Sequence, residues 1–386
     1  MKLQKICSYV KDKVETSNYS IENYISTDNM LPEKGGISLA SSLPSGKVTE
    51  FQENDILISN IRPYFKKIWK ADRNGCCSND VLCIRASNDV DTDFLYYLLS
   101  QDLFFAYVMS GAKGCKMPRG DKEQIMNWEI VITSEKEDQR RIASILSSLD
   151  RKIELNNKIN ADLEEMAQAI FKNWFVDFEP FKDGKFVDSE LGMIPEGWKV
   201  GTLTEIASYM NGLAMQKFPP ENNEDSLPVL KIKELGQGFC GTDSDRCSCN
   251  IKDECRIHNG DVIFSWSGTL LVDVWCGGDC GLNQHLFKVT SKDYPKWFYY
   301  YWTKHHLQEF IHIAKDKAVT LGHIKRGHLE EAMVAIPDND SMEKAHELFE
   351  PILSKMISLR LENSRLSLLR DTLLPRLMSG EIEVPQ

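Results

Sequence analysis

The stretch that decides the fold is QRRIASILSSLDRKIELNNKINADLEEMAQAIFKNWFVDF, residues 139–178, which contains neither glycine nor proline. Apolar residues recur along it alternately four and three positions apart, a spacing that predicts one long helix with the heptad seam of a coiled coil. At 1.5 Å per residue, about 40 residues form a helix of roughly 60 Å, too long for the core of one domain. Its predicted seam comprises Leu146, Leu149, Ile153, Asn156, Asn160 and Leu163.

A helix with one apolar face needs a partner, and a second helical stretch occurs near the C-terminus at residues 348–382. Shifting it back by about 207 residues aligns Asn363 with Asn156, which indicates an internal repeat. We therefore predict that the two helices pack antiparallel with these asparagines close together across the seam, where a buried polar pair fixes the register. The predicted seam of the second helix comprises Leu353, Met356, Asn363 and Leu366.

The residues before each helix also repeat. NDILIS at 54–59 matches GDVIFS at 260–265, and DFLYYLL at 93–99 matches KWFYYYW at 296–302. The repeat predicts an α+β protein in which two pseudo-repeated α/β domains are separated by two long helices that form an antiparallel coiled coil. The predicted divisions are a first domain at 1–134, a central helix at 135–180, a linker at 181–197, a second domain at 198–340 and a C-terminal helix at 341–386.

Length and composition narrow the class of protein. A chain of 386 residues, 42% of them apolar, is large enough for about two to three domains with real cores. The N-terminal residues lack the apolar run of a signal peptide, and no stretch is apolar enough to span a membrane, so we expect a cytoplasmic location. The 11 cysteines fit reduced thiols in that compartment. The net charge of −11 taken alone argues against a nucleic-acid partner, but separate faces can carry separate charges.

The sequence offers no good candidate for a catalytic or metal site. Cys240, Cys247, Cys249 and Cys255 lack the paired C-x2-C spacing of zinc sites, so we predict no bound metal. No glycine-rich phosphate loop followed by Lys-Ser/Thr occurs, which argues against ATP binding. The cofactor loop and the Asn/Asp-Pro-Pro-aromatic tetrad of a methyltransferase are also missing from the sequence. We therefore predict a chain with no catalytic residues.

Two basic clusters in the first domain are candidates for binding nucleic acid. Aromatic residues lie between the cations of the first cluster, a composition that favours phosphate contact. The alternative for each single residue is a solvated strand edge or loop. The clusters comprise Arg62, Lys66, Lys67 and Arg73, and then Lys113, Lys116 and Arg119.

The second domain has polar turn residues suited to reading base edges. Asn and Gln side chains can bond an adenine edge through two hydrogen bonds, and a glycine lets the backbone approach closely. Alternatively, Asn283 and His285 only cap a turn. The predicted base-contacting residues are Ser265, Trp266, Ser267, Gly268, Asn283, Gln284 and His285, and the predicted phosphate-contacting residues are Lys317, Lys325 and Arg326.

Several of these segments together resemble the specificity subunit of Type I restriction-modification systems, over nearly the whole chain. They are NDILISNIRPY and SND in the first domain, GDVIFSWSGT and LNQHLFKV in the second, and QRRIASILSSLDRKIELNNKIN and LLPRLMSGEI in the helices. The resemblance implies that the two domains are target recognition domains, each reading one half of a bipartite double-stranded DNA target, and that the helices set the spacing. The stretch from Cys240 to Cys255 departs from the family pattern.

The resemblance also implies partners. Two modification subunits bind the helices and methylate the flipped target adenine, and restriction subunits join them to translocate and cut DNA. AdoMet, ATP and Mg²⁺ are then bound by those partners and none by this chain. On this interpretation the chain selects DNA without being an enzyme itself, and Trp174, Phe175 and Phe178 contact the modification subunits.

Two alternatives stay open from the sequence. One is the recognition subunit of a related enzyme whose partner fuses methylation and cleavage, since that enzyme shares this architecture; neighbouring reading frames would distinguish it. The other is a coiled-coil scaffold without DNA affinity, which a test of salt-dependent duplex binding would distinguish.

Overall fold

The residues that the computed structural model describes are 1–133, 135–221, 225–316 and 322–384. The chain divides into two compact units, one formed by Met1–Ile153 with Leu366–Gln386 and the other by Glu154–Arg365. Each unit therefore combines a globular part with segments of both long helices. Among the described residues, no helix is both long enough and apolar enough to cross a membrane.

The first unit contains two four-stranded sheets. One has the strand order β1-β8-β5-β6 with every pair antiparallel, and the other has the order β2-β4-β7-β3, in which β3 runs parallel to β7. The strands are β1 (Cys7–Tyr9), β2 (Lys13–Glu15), β3 (Tyr24–Ile25), β4 (Lys47–Phe51), β5 (Ile56–Ser59), β6 (Ile68–Lys70), β7 (Gly75–Cys77) and β8 (Val81–Ala86).

Strand β5 is buried on both of its faces because it lies between two layers. Ile56 and Ile58 join the core shared with the helices, whereas Leu57 between them joins Phe51 and Cys77 in the core against the second sheet. This division follows from the alternation of side chains along a strand. The buried run ILIS therefore reflects burial on both sides.

Helices complete the core of the first unit. The long fourth helix carries Ile142 and Leu146 into a cluster with Leu374 and Leu377 from the C-terminal part of the chain. Both long helices therefore contribute to this core. The helices, in chain order, are α1 (Thr92–Leu99), α2 (Asp102–Ser110), α3 (Lys122–Met126) and the long α4 (Lys136–Phe175).

The second unit follows α4 with strands and helices that end in the long C-terminal helix. Its strands are β9 (Phe186–Ser189), β10 (Gly192–Pro195), β11 (Lys199–Thr202), β12 (Ser208–Asn211), β13 (Ser226–Leu230), β14 (Arg246–Ser248), β15 (Arg256–Ile257), β16 (Val262–Ser265), β17 (Leu271–Val274), β18 (Cys280–Leu282), β19 (Leu286–Thr290) and β20 (Met333–Ile336). Its helices are α5 (Leu203–Ile206), α6 (Ile232–Gln237), α7 (Lys296–His305), α8 (Leu307–Asp316), α9 (Arg326–Glu331) and α10 (Asn339–Met378).

The sheets of the two units correspond, which confirms the predicted repeat. The order β12-β19-β16-β17 reproduces β1-β8-β5-β6, again with every pair antiparallel. In the other sheet, β18 pairs antiparallel with β15 and parallel with β13, as β7 pairs with β4 and β3. The fourth strand differs: β2 lies beside β4, whereas β14 lies beside β13 at the opposite edge. The Cys-rich stretch that departs from the family pattern includes this edge strand.

Within the second unit, α4 and α10 run antiparallel. Asn156 lies against Asn363, while Phe171 further along α4 lies against Phe349 near the start of α10, with ring centroids 6.3 Å apart. The Asn156 side chain is fully buried, and its Nδ2 donates to Oδ1 of Asn363 and to Oε2 of Glu362, each at 2.8 Å. The predicted antiparallel pairing and the contact between the two asparagines are confirmed.

The predicted seam residues are buried or half-buried in the unit to which each belongs. Towards the end of α4 the seam changes position, because Phe171 and Phe175 are buried whereas Ile170 and Trp174 are only half-buried. A helix of 3.6 residues per turn drifts relative to a strict seven-residue repeat. Here α4 also packs against the globular part of the second unit, so its buried face follows both partners.

Replacing Asn156 with alanine should destabilise the second unit. The change removes the donor of two partly buried hydrogen bonds, so we expect the free energy of unfolding to fall by about 1–3 kcal/mol. Urea unfolding followed by circular dichroism measures this change. The matched control is Asn173→Ala at an exposed position of the same helix, where alanine is the better helix former. Equal effects of the two substitutions would contradict the role of the asparagine pair.

Candidate nucleic-acid interface

Loops from different parts of the first unit meet beyond the end of β5. We name them the strand loop (residues 60–67, between β5 and β6), the turn loop (78–80, before β8) and the basic loop (111–121, between α2 and α3). The two basic clusters predicted from the sequence lie on the strand loop and the basic loop. Only Arg73 falls outside them, since it follows the other end of β6.

Backbone hydrogen bonds hold the three loops of the first unit together. The amide of Arg62 donates to the carbonyl oxygen of Pro118 at 2.8 Å, and the amide of Gly120 donates to that of Asn60 at 3.3 Å. The amide of Asn60 in turn donates to the carbonyl oxygen of Asp80 at 2.8 Å. Residues far apart in sequence therefore form one surface.

The second unit repeats these contacts with different residues. Its strand loop is 266–270, its turn loop is 283–285, and the segment before α9 takes the place of the basic loop. The amide of Gly268 donates to the carbonyl oxygen of Gly322 at 3.0 Å, and that of Ile324 to Trp266 at 3.1 Å. The amide of Trp266 donates to the carbonyl oxygen of His285 at 3.4 Å. Both units thus have the same backbone framework at this surface.

Two predicted base readers of the second unit have a structural role instead, and those predictions are corrected. Ser265 is fully buried, and its hydroxyl donates to the carbonyl oxygens of Ser267 at 3.2 Å and Thr269 at 2.7 Å. Asn283 is only 6% exposed, and its Oδ1 accepts a hydrogen bond from the amide of His285 at 3.3 Å. Both side chains hold turns, which leaves their polar atoms occupied away from solvent.

The first unit contains the same two turn-holding contacts. The hydroxyl of Ser59 donates to the carbonyl oxygen of Ile61 at 3.1 Å, as that of Ser265 does to Ser267. The hydroxyl of Ser78 accepts a hydrogen bond from the amide of Asp80 at 3.2 Å, as Oδ1 of Asn283 does from His285. These pairs fix the residue-by-residue correspondence of the two surfaces.

Two of the predicted phosphate-contacting lysines bind acceptors within the first unit. Lys66 Nζ lies 3.1 Å from Asp102 and 3.6 Å from Glu33. Burial disfavours its charge, but these carboxylates outweigh burial and raise the pKa of Lys66. Lys67 Nζ donates to the carbonyl oxygen of Thr27 at 2.7 Å. Their charges therefore help to hold the strand loop in place, and the phosphate contact of both lysines stays a prediction.

Arg73 lies away from this surface and has other partners, and its predicted contact with DNA stays a prediction. Its guanidinium pairs with Asp72 at 2.8 Å, donates to the carbonyl oxygen of Glu22 at 3.1 Å and lies 5.5 Å from the ring centroid of Trp69. These contacts are beyond the end of β6 that is opposite the strand loop.

Exposed cations remain on the basic loop and before α9. Lys113 is 82% exposed and Arg119 is 56% exposed at their side chains, with Asp121 and Asp80 as their respective partners. Lys116 is exposed in the middle of the same loop. In the second unit Lys325 and Arg326 are exposed at the start of α9, while the predicted contact residue Lys317 lies outside the described residues.

The side chains at equivalent positions differ between the units. In the first unit, Asp80 and Arg119 form an ion pair of 3.1 Å. At the corresponding positions the second unit has His285 and His323, and the ring of Trp266 lies between them at centroid distances of 5.9 and 6.4 Å. The sequence-based site omitted Asp80 and His323. The sequence signal that could have found them is the match of SND (78–80) to the residues before β19. That match identifies the equivalent positions only together with the backbone pairing, which the fold supplies.

Two aromatic residues expected to contact partner subunits belong to the core of the second unit. Phe175 is 1% exposed and packs against Trp297 and Phe349, with ring centroids 5.8 and 6.1 Å away. Phe178 is 9% exposed and packs edge-on against Trp198. The expectation of a partner contact is corrected for these two side chains, since neither reaches the surface. Trp174 is half-buried.

The cysteines do not assemble a metal site among the described residues, where no group of three or more His, Cys, Asp or Glu side chains gathers closely enough to hold an ion. Cys247 and Cys255 are buried among apolar side chains of the second sheet of their unit. Burial raises the pKa of both thiols, which keeps them neutral. They pack as small apolar residues.

Comparison with known proteins identifies the family. Residues 4–165 and 195–363 both match the family described as Type I restriction modification DNA specificity domain. The chain belongs to this family. The two matches fall on the two repeated parts of the chain, and the predicted role in DNA sequence recognition is confirmed. A member of this family selects DNA for its restriction-modification system and assembles with other subunits of that system.

Individual relatives agree with this assignment. The chain is 30% identical over 313 residues to the Type I restriction enzyme MjaIX specificity subunit of Methanocaldococcus jannaschii, covering 77% of this chain and 70% of that protein. It is 24% identical to the HindI specificity subunit of Haemophilus influenzae, covering 93% and 94%. Among solved structures, the S subunit of a Type I restriction-modification system from M. genitalium matches 98% of this chain and 95% of that chain at 16% identity, and its TM-score of 0.54 shows a shared fold.

In this DNA specificity protein, replacing Asn283 should lower the stability of the fold, because its side chain holds a turn. Asn283→Ala removes the acceptor that holds the turn loop, so we expect a loss of about 1 kcal/mol in the free energy of unfolding. Asn283→Ser should retain most of the stability, because Ser78 makes the same contact in the first unit. Thermal melting measures both variants, with His285→Ala at the neighbouring exposed position as the control.

The opposite pattern would restore the base-reading role of Asn283. It consists of an unchanged melting temperature for Asn283→Ala together with lost binding to a target duplex.

Proposed function

We propose that the chain is the DNA sequence-recognition subunit of a Type I restriction-modification enzyme and that each unit reads one half of a bipartite target. The observation that carries the proposal is the pair of equivalent loop surfaces. Their backbone contacts are the same in both units, but Asp80 and Arg119 stand where the other unit has His285 and His323. Two readers of different sequences require a common framework with different side chains on it.

Each surface combines the two kinds of contact that sequence recognition needs. Cations fix a protein on the phosphates without regard to sequence, and we assign this role to Lys113 and Lys116 in the first unit and to Lys325 and Arg326 in the second. Base edges in the major groove are then read by polar side chains nearer the centre of each surface. In the second unit we propose Trp266, Ser267, Gln284 and His285 for this role, with Gly268 allowing close approach of the backbone.

The two long helices suit a second role in the proposed complex. Each contains 40 residues, which corresponds to about 60 Å of continuous helix. We propose that this length determines the spacing of the half-sites and that exposed helix surface, with Trp174 at its edge, binds two modification subunits. AdoMet, ATP and Mg²⁺ would be bound by the modification and restriction subunits. The proposal places the chain in the cytoplasm, with the DNA that it reads.

Exchanging the second globular part tests this division of labour. We expect that replacing residues 198–337 with the corresponding part of a relative changes one half of the methylated sequence and leaves the other half unchanged. Both junctions lie outside sheet strands, before β11 and after β20, so the exchanged part keeps its own strand pairing. Methylation profiling of genomic DNA from cells that express the complete system provides the readout.

The reciprocal exchange of residues 1–134 is the matched control and should change the other half-site. A change in both halves after either exchange, or in the spacer alone, would contradict the assignment of one half-site to each unit.

A further inference from the structure

Arg62 adopts a backbone conformation that is unfavourable for arginine. Its φ and ψ are 50° and 62°, in the left-handed region, and Lys66 at the other end of the same short turn has φ of 50° as well. A side chain with a Cβ makes this conformation costly, whereas glycine adopts it freely. Strain of this kind in a loop that carries function is a reason to look for a role of the side chain.

The second unit shows that the fold does not need arginine at this position. Gly268 is the equivalent residue, because its amide donates to Gly322 as that of Arg62 donates to Pro118. Gly268 also has a positive φ, 68°. The same turn is therefore built in one unit with the residue that suits it and in the other with a residue that strains it. The arginine side chain, not the backbone, distinguishes the first unit.

The Arg62 guanidinium also lacks a partner among the described residues. No carboxylate pairs with it there, and its Nε is buried without a hydrogen bond. Burial lowers the pKa of the nearby Lys67, Asp28 opposes that effect, and the positive charge of Arg62 lowers the pKa of Lys67 further. An uncompensated guanidinium next to a second cation is unfavourable in the free protein. A ligand that presents acceptors to it would relieve both the missing bonds and the repulsion.

We propose that Arg62 reads a guanine in the half-site recognised by the first unit. This inference rests on the proposed function. The planar guanidinium can donate two parallel hydrogen bonds to O6 and N7 of guanine, the most common base-specific contact of arginine in the major groove. Exposed Lys113 and Lys116 on the adjoining basic loop supply the phosphate contacts that position it. Gly268 contributes no such contact, so the second half-site is read without a side chain from this position.

Arg62→Gly is the decisive substitution, because it installs the residue that the other unit uses. We expect the melting temperature to stay the same or rise. In cells that express the complete system, methylation profiling should show a consensus that has become degenerate at one G·C pair of one half-site. Discrimination at that pair should fall by about 10- to 100-fold, and the other half-site should stay unchanged. Arg62→Lys keeps the charge but not the planar, two-pronged donor, so it should retain only part of the discrimination.

Lys116→Ala serves as the matched control, since it removes an exposed cation from the same surface. It should lower methylation of every site by a similar factor without changing the consensus. If Arg62→Gly behaves in the same way, Arg62 contacts a phosphate and the inference is wrong. An unchanged consensus and unchanged methylation would equally overturn it, as would full rescue by Arg62→Lys or a large loss of stability in Arg62→Gly.

The wild-type profile separates this inference from the function on which it rests. Absence of any bipartite consensus in wild-type cells would contradict the proposed function itself. A bipartite wild-type consensus that Arg62→Gly leaves intact would contradict only the role of Arg62.

Discussion

The shared seam of the two long helices is the interaction on which both units depend. In the first unit, Leu146 of α4 is buried together with Leu377 of α10 in the core under the first sheet. In the second unit, Phe175 of α4 is buried together with Phe349 of α10 in a core that also contains the first strands of that unit. Neither core is complete without segments from both helices. The apolar face of each long helix is buried against the other long helix and against the globular parts.

The seam includes a polar contact at the position where apolar packing alone would leave the register open. Asn156 and Asn363 are paired at 2.8 Å, and Nδ2 of Asn363 donates to Asn157 at 2.7 Å. Sliding one helix by a turn would break these hydrogen bonds and leave the buried amide of Asn156 without its partners. A chain in which each globular part needs a particular segment of each helix requires such a register.

On this framework, the positions proposed for recognition differ from those whose side chains hold the turns. The side chains of Ser59, Ser78, Ser265 and Asn283 hold the turns, and the ion pairs of Lys66 hold the strand loop. Positions whose side chains hold no turn differ between the units, as Arg62 and Gly268 do. Specificity is a difference between affinities for competing sequences, so it can change at these positions without changing the fold.

The sequence predicted the elements whose signal is periodic. Heptad spacing predicted α4, and the repeat predicted both the asparagine contact and the matching sheets. The expectation that Phe175 contacts a partner came from the resemblance, and no local pattern showed that this side chain packs in the core of the second unit. Residue type alone did not identify the base-contacting residues at the turns, because serine and asparagine are suited both to base contact and to capping a turn. Lys66 pairs with Glu33 and Asp102, which lie too far away in the sequence for any local pattern to reveal the pairing.

The most direct test of the account measures amide hydrogen exchange in the assembled enzyme, with and without duplex DNA. The duplexes carry both half-sites, or have one half-site scrambled at constant length. We predict that the intact target slows exchange in the strand, turn and basic loops of the first unit and in the equivalent loops of the second. Scrambling one half-site should abolish protection in the loops of one unit only. Simultaneous loss in both units, or protection that never reaches these loops, would contradict the account.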